Sequence, residues 1–351
     1  MKKITALVCA LLIALASVAF AGCGAGGGGK TDLILENWGE YLDPELLTKF
    51  NEENPDINLI QNTTTSNEEM YTVCSTEGSK IDMCVPSEYM VERMMKEGLL
   101  AKLDTTKLKN AKYIDKTAAA STADKNCDYS VPYMMGTLGI VYNKTMVSDK
   151  VDSWDILWNK KYDKKIMMYS SIRDSLAVAL IKLGYDINTT DEKQLEEAGK
   201  LLIEQKPMVL AYGTDNIKDS MISGSCAIAV DYSGAASAAI TENSDLDYVV
   251  PKEGSNVWVD CVVVMKNSEH KDAAMRFIDF LCDPKNAAKN AEYIGYTPAN
   301  TEAVNLVDDK LKNNAGFKMN KEDIARCTYY KDLGDDLSKY NDVWMKVQTA
   351  G

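Results

Sequence analysis

The chain has 351 residues, 46% of them apolar and 26% charged, with a formal net charge of −13. Those proportions are ordinary for a soluble globular protein of roughly two domains. The acidity argues against nucleic acid and anionic membrane surfaces as partners.

Lys2 and Lys3 precede an apolar run, Ile4 to Phe20, and Ala21-Gly22-Cys23 follows. Charged, apolar and small-residue regions in this order read as a signal peptide over residues 1–22. The pattern resembles a bacterial lipoprotein signal, in which Cys23 is lipidated and becomes the first residue; the alternative is a plain secretory signal cut nearby. Gly24 to Gly29 reads as a flexible tether, so residues 23–30 join anchor to body. Loss of Lys2 and Lys3 takes the charge from −13 to −15. No later run approaches the roughly 18 apolar residues of a membrane span.

The body opens with the apolar run Leu33–Leu35, the loop Asn37-Trp38-Gly39-Glu40-Tyr41, and a helix start. Asp43 is its N-cap and Pro44 its first residue, with Leu46, Leu47 and Phe50 on one face. A strand over Ile57–Gln61 is followed by a helix with Asn67 as N-cap. "KIDMCVP" then leads to a helix capped by Ser87 and stopped by Gly98. Asp128–Asn143, extended and carrying Gly136 and Gly139, suits a crossing between two lobes; Val257–Met265 reads as the return crossing. Ser153 reads as a cap, with Trp154 and Trp158 as packing, and Trp344 likewise in an amphipathic tail. Helical spacing recurs before Gly184 and through Leu195, Ala198, Leu201 and Leu202. Strand-helix alternation of this kind predicts an α/β fold. No GxGxxG or GxxxxGK[ST] run supports a nucleotide site.

Of nine cysteines, Cys9 leaves with the signal and Cys23 takes lipid. The seven that remain are odd in number and form no CxxC, and Cys84, Cys226 and Cys261 lie in apolar runs as small core residues. Free thiols are expected, although export permits a bridge. The single histidine, His270, stands at a helix start, so a zinc site built on histidines is excluded. Its plain reading is a solvated helix-entry residue.

Rings and acids gather where strands end. Trp38, Glu40 and Tyr41 follow the first strand; Tyr89 follows "DMCVPSE"; Asp174 opens a helix; Tyr232 follows "AIAVD". Trp258 and Asp260, two apart on an extended segment, share a face. In open α/β sheets ligands bind beyond the carboxyl ends of strands. Taken singly, each residue reads as readily as packing or a cap. Together they suit a flexible polycation, which needs carboxylates for its nitrogens and aromatic walls for its methylenes. Aromatic faces attract cations by about 0.5–2 kcal/mol, and charge-assisted hydrogen bonds add about 1.5–3 kcal/mol.

In order along nearly the whole mature chain, "ENWGEYL", "TSNEEMY", "DMCVPSEYMVERMMKEGLL", "DYSVPYMMGTLGIVYN", "RDSLAVALIKLGY", "VPKEGSNVWVDCV", "AMRFIDFL" and "IGYTPAN" resemble the spermidine/putrescine-binding proteins of ABC importers. The resemblance implies a two-lobed type II periplasmic-binding-protein fold, each lobe a mixed sheet flanked by helices, joined by a hinge of crossing segments. It implies an N-terminal lobe of residues 31–137 plus 260–303 and a C-terminal lobe of 138–259 plus 304–351. Trp38, Tyr41, Tyr89, Tyr232 and Trp258 would wall the methylenes; Glu40, Asp174 and Asp260 would meet the nitrogens, Asp260 as an anchor.

Two positions depart from the family. Ser171 stands where an acid is frequent, three residues before Asp174, and Tyr330 stands where a glutamine can contact the terminal amine. The lost charge predicts a preference for putrescine over spermidine. The resemblance further implies a monomeric binding protein rather than an enzyme, with no cofactor or metal. Its partners would be permease subunits, and it would touch the membrane only through its lipid. Two alternatives stay open: a same-fold binder of ferric iron using Tyr329 and Tyr330, and an exported hydrolase using carboxylates such as Glu40 and Asp260.

Overall fold

The structure is a computed structural model and describes residues 29–350. The signal peptide, Cys9, Cys23 and the tether up to residue 28 lie outside those residues. Strand β1 (Thr31–Trp38), helix α1 (Pro44–Glu53), β2 (Ile57–Thr64), α2 (Asn67–Ser75), β3 (Met83–Cys84), α3 (Glu88–Lys96) and α4 (Lys116–Ser121) lead into the long β4 (Ser130–Asn143). Next come β5 (Ile166–Tyr169), α5 (Ile172–Lys182), α6 (Glu192–Gln205), β6 (Val209–Gly213), α7 (Asn216–Ile222), β7 (Ile228–Tyr232), α8 (Ser233–Glu242) and β8 (Leu246–Val249). The chain continues through β9 (Val257–Val264), α9 (Lys271–Cys282), α10 (Pro284–Ile294) and β10 (Thr297–Pro298), and closes with a tail helix, Leu337–Thr349.

The strands run in the order β2-β1-β3-β9-β4-β7-β5-β6. β4 belongs to two sheets. Its first half, Ser130 to Thr137, pairs antiparallel with β9. Its second half pairs antiparallel with β7 from Leu138 and with β8 from Ile140. Partners change between Thr137 and Leu138, so the extended passage around Gly136 and Gly139 runs from one sheet into the other. Parallel pairs flank it on each side, β1 with β2 and β3 in the first lobe and β5 with β6 and β7 in the second. Val257–Met265 is different from expectation. All of β9 pairs within the first sheet, against β4 and β3. The chain is therefore back in the first sheet by Val257.

Apolar residues cover both faces of each sheet. Leu33, Leu35, Phe50, Phe277 and Ile278 pack on one face of the first, and Met70, Met90, Cys261 and Val263 on the other. In the second, Trp154, Ile228, Val230 and Tyr340 oppose Val141, Ala229, Ile217 and Met221. Trp154 and Trp344 are buried packing residues.

Local signals hold with two exceptions. Asp43 caps α1 by accepting from the Glu45 N–H, and Pro44 takes the first helical position. Gly98 and Gly184 end their helices at φ +66° and +79°, where a side chain is strained. The cap of α2, however, is Ser66, which accepts from the Glu69 N–H. Asn67 lies inside the helix because its side chain is held elsewhere: Nδ2 donates to Ser87 Oγ and Oδ1 accepts from the Ser87 N–H. Ser87 stands at the N-cap of α3 without capping it.

All seven cysteines from Cys74 to Cys327 are free. His270 stands at the entry of α9 with Nδ1 3.2 Å from the buried carboxylate of Asp82, so it is half-tethered rather than simply solvated. No helix among the described residues is long and apolar enough to cross a membrane.

Candidate functional site

Between the lobes, strand ends and helix starts from both sheets bring two buried carboxylates together with a run of aromatic rings. The first acid, Asp260 near the start of β9, is 6% exposed. Its Oδ1 accepts from Ser87 Oγ at 2.6 Å and its Oδ2 from the Tyr41 hydroxyl at 2.8 Å. Burial pushes its carboxyl up to about 7, and the two hydroxyl donors hold it back from rising further. Glu88 lies beside it. One Glu88 oxygen accepts from the Val259 N–H at 2.9 Å and the other, Oε1, has no partner. Burial pushes the Glu88 carboxyl up to about 8.

The second acid is Asp174, 3% exposed in the first turn of α5. It accepts from the Tyr232 hydroxyl at 2.8 Å and from the Tyr330 hydroxyl at 3.1 Å. Neither Asp260 nor Asp174 belongs to an ion pair among the described residues. Arg173 lies instead over Tyr330 at 4.2 Å, Tyr340 at 5.2 Å and Tyr89 at 5.7 Å, with Nη2 donating to Asn188 Oδ1 at 2.9 Å.

Edge-to-face rings connect the two acids. Centroid separations are 5.5 Å for Tyr133–Tyr41, 5.4 Å for Tyr41–Tyr296, 5.3 Å for Tyr296–Trp258, 6.0 Å for Trp258–Tyr232 and 4.8 Å for Tyr232–Tyr169. Two glycines let the rings approach the backbone. A Cβ on Gly136 would stand 2.6 Å from Trp258, and one on Gly234 would stand 2.2 Å from Tyr296. The indole N–H of Trp258 is buried and has no acceptor among the described residues.

Tyr41, Tyr232, Trp258, Asp174, Asp260 and Tyr330 thus form one contiguous group. Tyr89 joins its edge: the ring meets Tyr330 at 6.1 Å, and the hydroxyl donates to Glu68 Oε1 at 3.2 Å. Trp38 is half-buried and anchored by its Nε1–H to the Val85 carbonyl at 2.8 Å. Glu40 does not join the acids. It is exposed, and Oε2 lies 2.5 Å from Lys218 Nζ on α7 in the other lobe. A loop carboxylate next to water has no reason to turn inward when a lysine faces it across the opening. Ser171 acts as the cap of α5, with Oγ 3.4 Å from the Asp174 N–H.

Sequence reasoning missed Tyr169, Tyr133, Tyr296, Ser87, Glu88, Asp231 and Lys218. Tyr169 ends β5 just before a helix, the same signal that singled out Tyr232. Tyr296 follows the left-handed cap Gly295 of α10 rather than a strand, so no strand-end rule reaches it. The adjacent Tyr329 and Tyr330 diverge, Tyr330 toward Asp174 and Tyr329 toward Ser121. Among the described residues no group of three or more His, Cys, Asp or Glu is placed to hold a metal. A cavity of about 420 Å³ near Leu100, Tyr129, Lys102, Lys266 and Lys271 lies apart from this group and is lined by no acid.

Buried acids without counter-ions, walled by rings and shared by two lobes, suit capture of a cationic organic solute. The sequence profile of the bacterial extracellular solute-binding proteins matches residues 45–319. The chain belongs to this family. Among relatives of this solute-binding protein, the spermidine/putrescine-binding periplasmic protein of Salmonella typhimurium is 33% identical over 97% of this chain and 98% of its own. The putrescine-binding periplasmic protein SpuD of Pseudomonas aeruginosa is 28% identical over 96% of this chain and 98% of its own. The structure of the spermidine/putrescine ABC transporter substrate-binding protein of Streptococcus pneumoniae superposes with a TM-score of 0.78 at 38% identity, covering 92% of this chain and 99% of that one. A Treponema pallidum lipoprotein superposes with a TM-score of 0.81 at 29% identity, covering 90% of this chain and 99% of that one.

Proposed function

We propose that this solute-binding protein captures a polyamine between its lobes and delivers it to an ABC importer. One observation carries the reading: Asp260 and Asp174 are both buried, both held by tyrosine hydroxyls, and joined by an unbroken run of rings. Burying an unpaired carboxylate costs several kcal/mol. An ammonium group meeting each acid offsets that cost, and the rings replace water around the methylenes. The names of the relatives point the same way.

The ligand group comprises Tyr41, Tyr89, Tyr232, Trp258, Asp174, Asp260 and Tyr330, with Trp38 at its margin. Ligand contacts with both lobes at once would drive closure. The lobes divide at Thr137/Leu138 and again in the residues ahead of β9. Cys23 carries the lipid anchor, a reading in keeping with the Treponema pallidum lipoprotein, and the protein works outside the cytoplasmic membrane as a monomer. The role is binding without catalysis. Diverging Tyr329 and Tyr330 disfavour the iron reading, and the exposed, lysine-paired Glu40 disfavours a two-carboxylate hydrolase.

A thermal-shift panel of putrescine, spermidine, spermine, agmatine and cadaverine tests the proposal, followed by isothermal titration of whichever amine raises Tm. Micromolar or tighter binding of at least one amine is expected. Silence across the panel rejects the reading.

A further inference from the structure

Asp231 is a further buried acid, after Asp260, Glu88 and Asp174, and nothing in the polyamine reading uses it. It is the penultimate residue of β7 and 3% exposed. Its Oδ1 accepts from the Tyr232 N–H at 2.8 Å, and Oδ2 takes no hydrogen bond among the described residues. It has no capping duty, since the N-cap of α8 is Tyr232, and no side chain caps that helix. It has no counter-ion either. Lys218, the base close enough to feel it, is engaged by Glu40, and Asp215 adds a second negative charge nearby. A carboxylate held this way weakens the folded chain unless something cationic reaches it.

Tyrosines stand near it, as they do near the other two acids, and the core residues Tyr248 and Cys226 also feel its charge. The β5–β7 register pairs Ile166 with Ile228 and Met167 with Ala229, and its continuation sets Tyr169 beside Asp231. The negative charge of Asp231 bears directly on the hydroxyls of both Tyr169 and Tyr296. Those two rings are the ones that flank Tyr232 and Trp258 in the aromatic run. Asp260 accepts from Tyr41 and Asp174 from Tyr232 and Tyr330, whereas Asp231 acts on Tyr169 and Tyr296 through its charge alone.

We propose that Asp231, Tyr169 and Tyr296 form a third ammonium subsite, so that the protein takes a triamine in preference to a diamine. The inference rests on the polyamine reading and makes it specific. It also reverses the expectation drawn from Ser171. The charge absent there is supplied from the neighbouring strand by Asp231.

Isothermal titration of putrescine and spermidine against the wild-type protein and Asp231→Asn decides the matter, with near-UV circular dichroism to confirm the fold. The wild type is expected to favour spermidine, and the spermidine-to-putrescine affinity ratio is expected to fall at least about tenfold in Asp231→Asn, the scale of one lost charge-assisted hydrogen bond. A ratio unchanged within about threefold, or a wild type that favours putrescine, overturns the third subsite and leaves the polyamine reading standing. A wild type that binds neither amine overturns the polyamine reading itself. Should Asp231→Asn fail to fold, the two mono-N-acetylspermidines serve with the wild type, because each keeps the length and loses one ammonium. Both must bind at least about tenfold more weakly than spermidine; equal binding by either removes the subsite.

Discussion

Tyr41 and Asp260 lie 219 residues apart in the chain and are joined by a 2.8 Å hydrogen bond, the tyrosine hydroxyl donating to Oδ2. With Ser87 on the other oxygen, Asp260 is fixed in place before any ligand arrives. Asp260→Asn keeps the shape and removes the charge. Affinity for the best amine should drop by about 3 kcal/mol, near a hundredfold. The same change spares the ligand-free protein a buried anion, so its Tm at pH 8 should rise. A loss below about threefold by titration would remove Asp260 from the site.

The pH dependence has a definite sign. The Asp260 carboxyl is raised from its ordinary 3.8 to about 7 in the folded protein. The folded state then holds a proton that the unfolded chain has released, so ligand-free stability falls as pH rises from about 4 to about 7 and levels off above that. Amine binding runs the other way, because a cation requires the ionised acid. Affinity should climb up to about tenfold per pH unit for each such acid below its folded pKa. Asp231, raised to about 8, extends the climb upward for a ligand that reaches it. Ser87→Ala removes the 2.6 Å hydrogen bond that favours the anion and should move the profile to higher pH. Titrations between pH 5 and 9, with proton release read from two buffers, check this; a flat profile contradicts it.

Glu40 and Lys218 form a pair across the opening, with the glutamate side chain 69% exposed. Exposed pairs contribute about 0–1 kcal/mol and fade with salt. Glu40→Gln and Lys218→Ala should therefore each weaken binding by less than about fivefold, with the deficit vanishing near 1 M salt. A deficit of a hundredfold in Glu40→Gln alone, insensitive to salt, would put Glu40 back among the nitrogen-binding acids.

What could be read from the chain, and what could not, follows from the range of the forces involved. Asp43-Pro44, Gly98 and Gly184 act within one turn, so their effect was legible. So was the long extended passage carrying Gly136 and Gly139, which forms β4 and pairs with both sheets. The gathering of Tyr41, Asp174, Tyr232 and Trp258 emerged only as a set, since each ring or acid alone is ordinary packing. Asn67 misled because a partner 20 residues away, Ser87, outbids the local cap. The pairing of Glu40 with Lys218 could not be read locally, because the lysine stands 178 residues on. Val257–Met265 looked like a crossing because strand and crossing are both extended; the pairing with β4 settles it. Cross-lobe charge and strand register are long-range outcomes that no local pattern encodes.

Gly234 offers the sharpest test of the aromatic run. It occupies the first turn of α8, directly under Tyr296. The contact of 2.2 Å that a Cβ would make there is impossible, and the Gly295 cap, which packs on the Gly234 carbonyl, leaves the helix little room to retreat. Gly234→Ala must therefore push Tyr296 out of its place between Tyr41 and Trp258. Overpacking of this kind costs about 1–3 kcal/mol of stability, and the displaced ring should lower amine affinity by about tenfold. Gly224→Ala is the control. At φ +73° with open space around it, it should strain the backbone by about 1 kcal/mol and leave affinity unchanged. If Gly234→Ala lowers Tm yet binds amine as the wild type does, Tyr296 is packing and the wall between Asp260 and Asp174 is shorter than its geometry suggests.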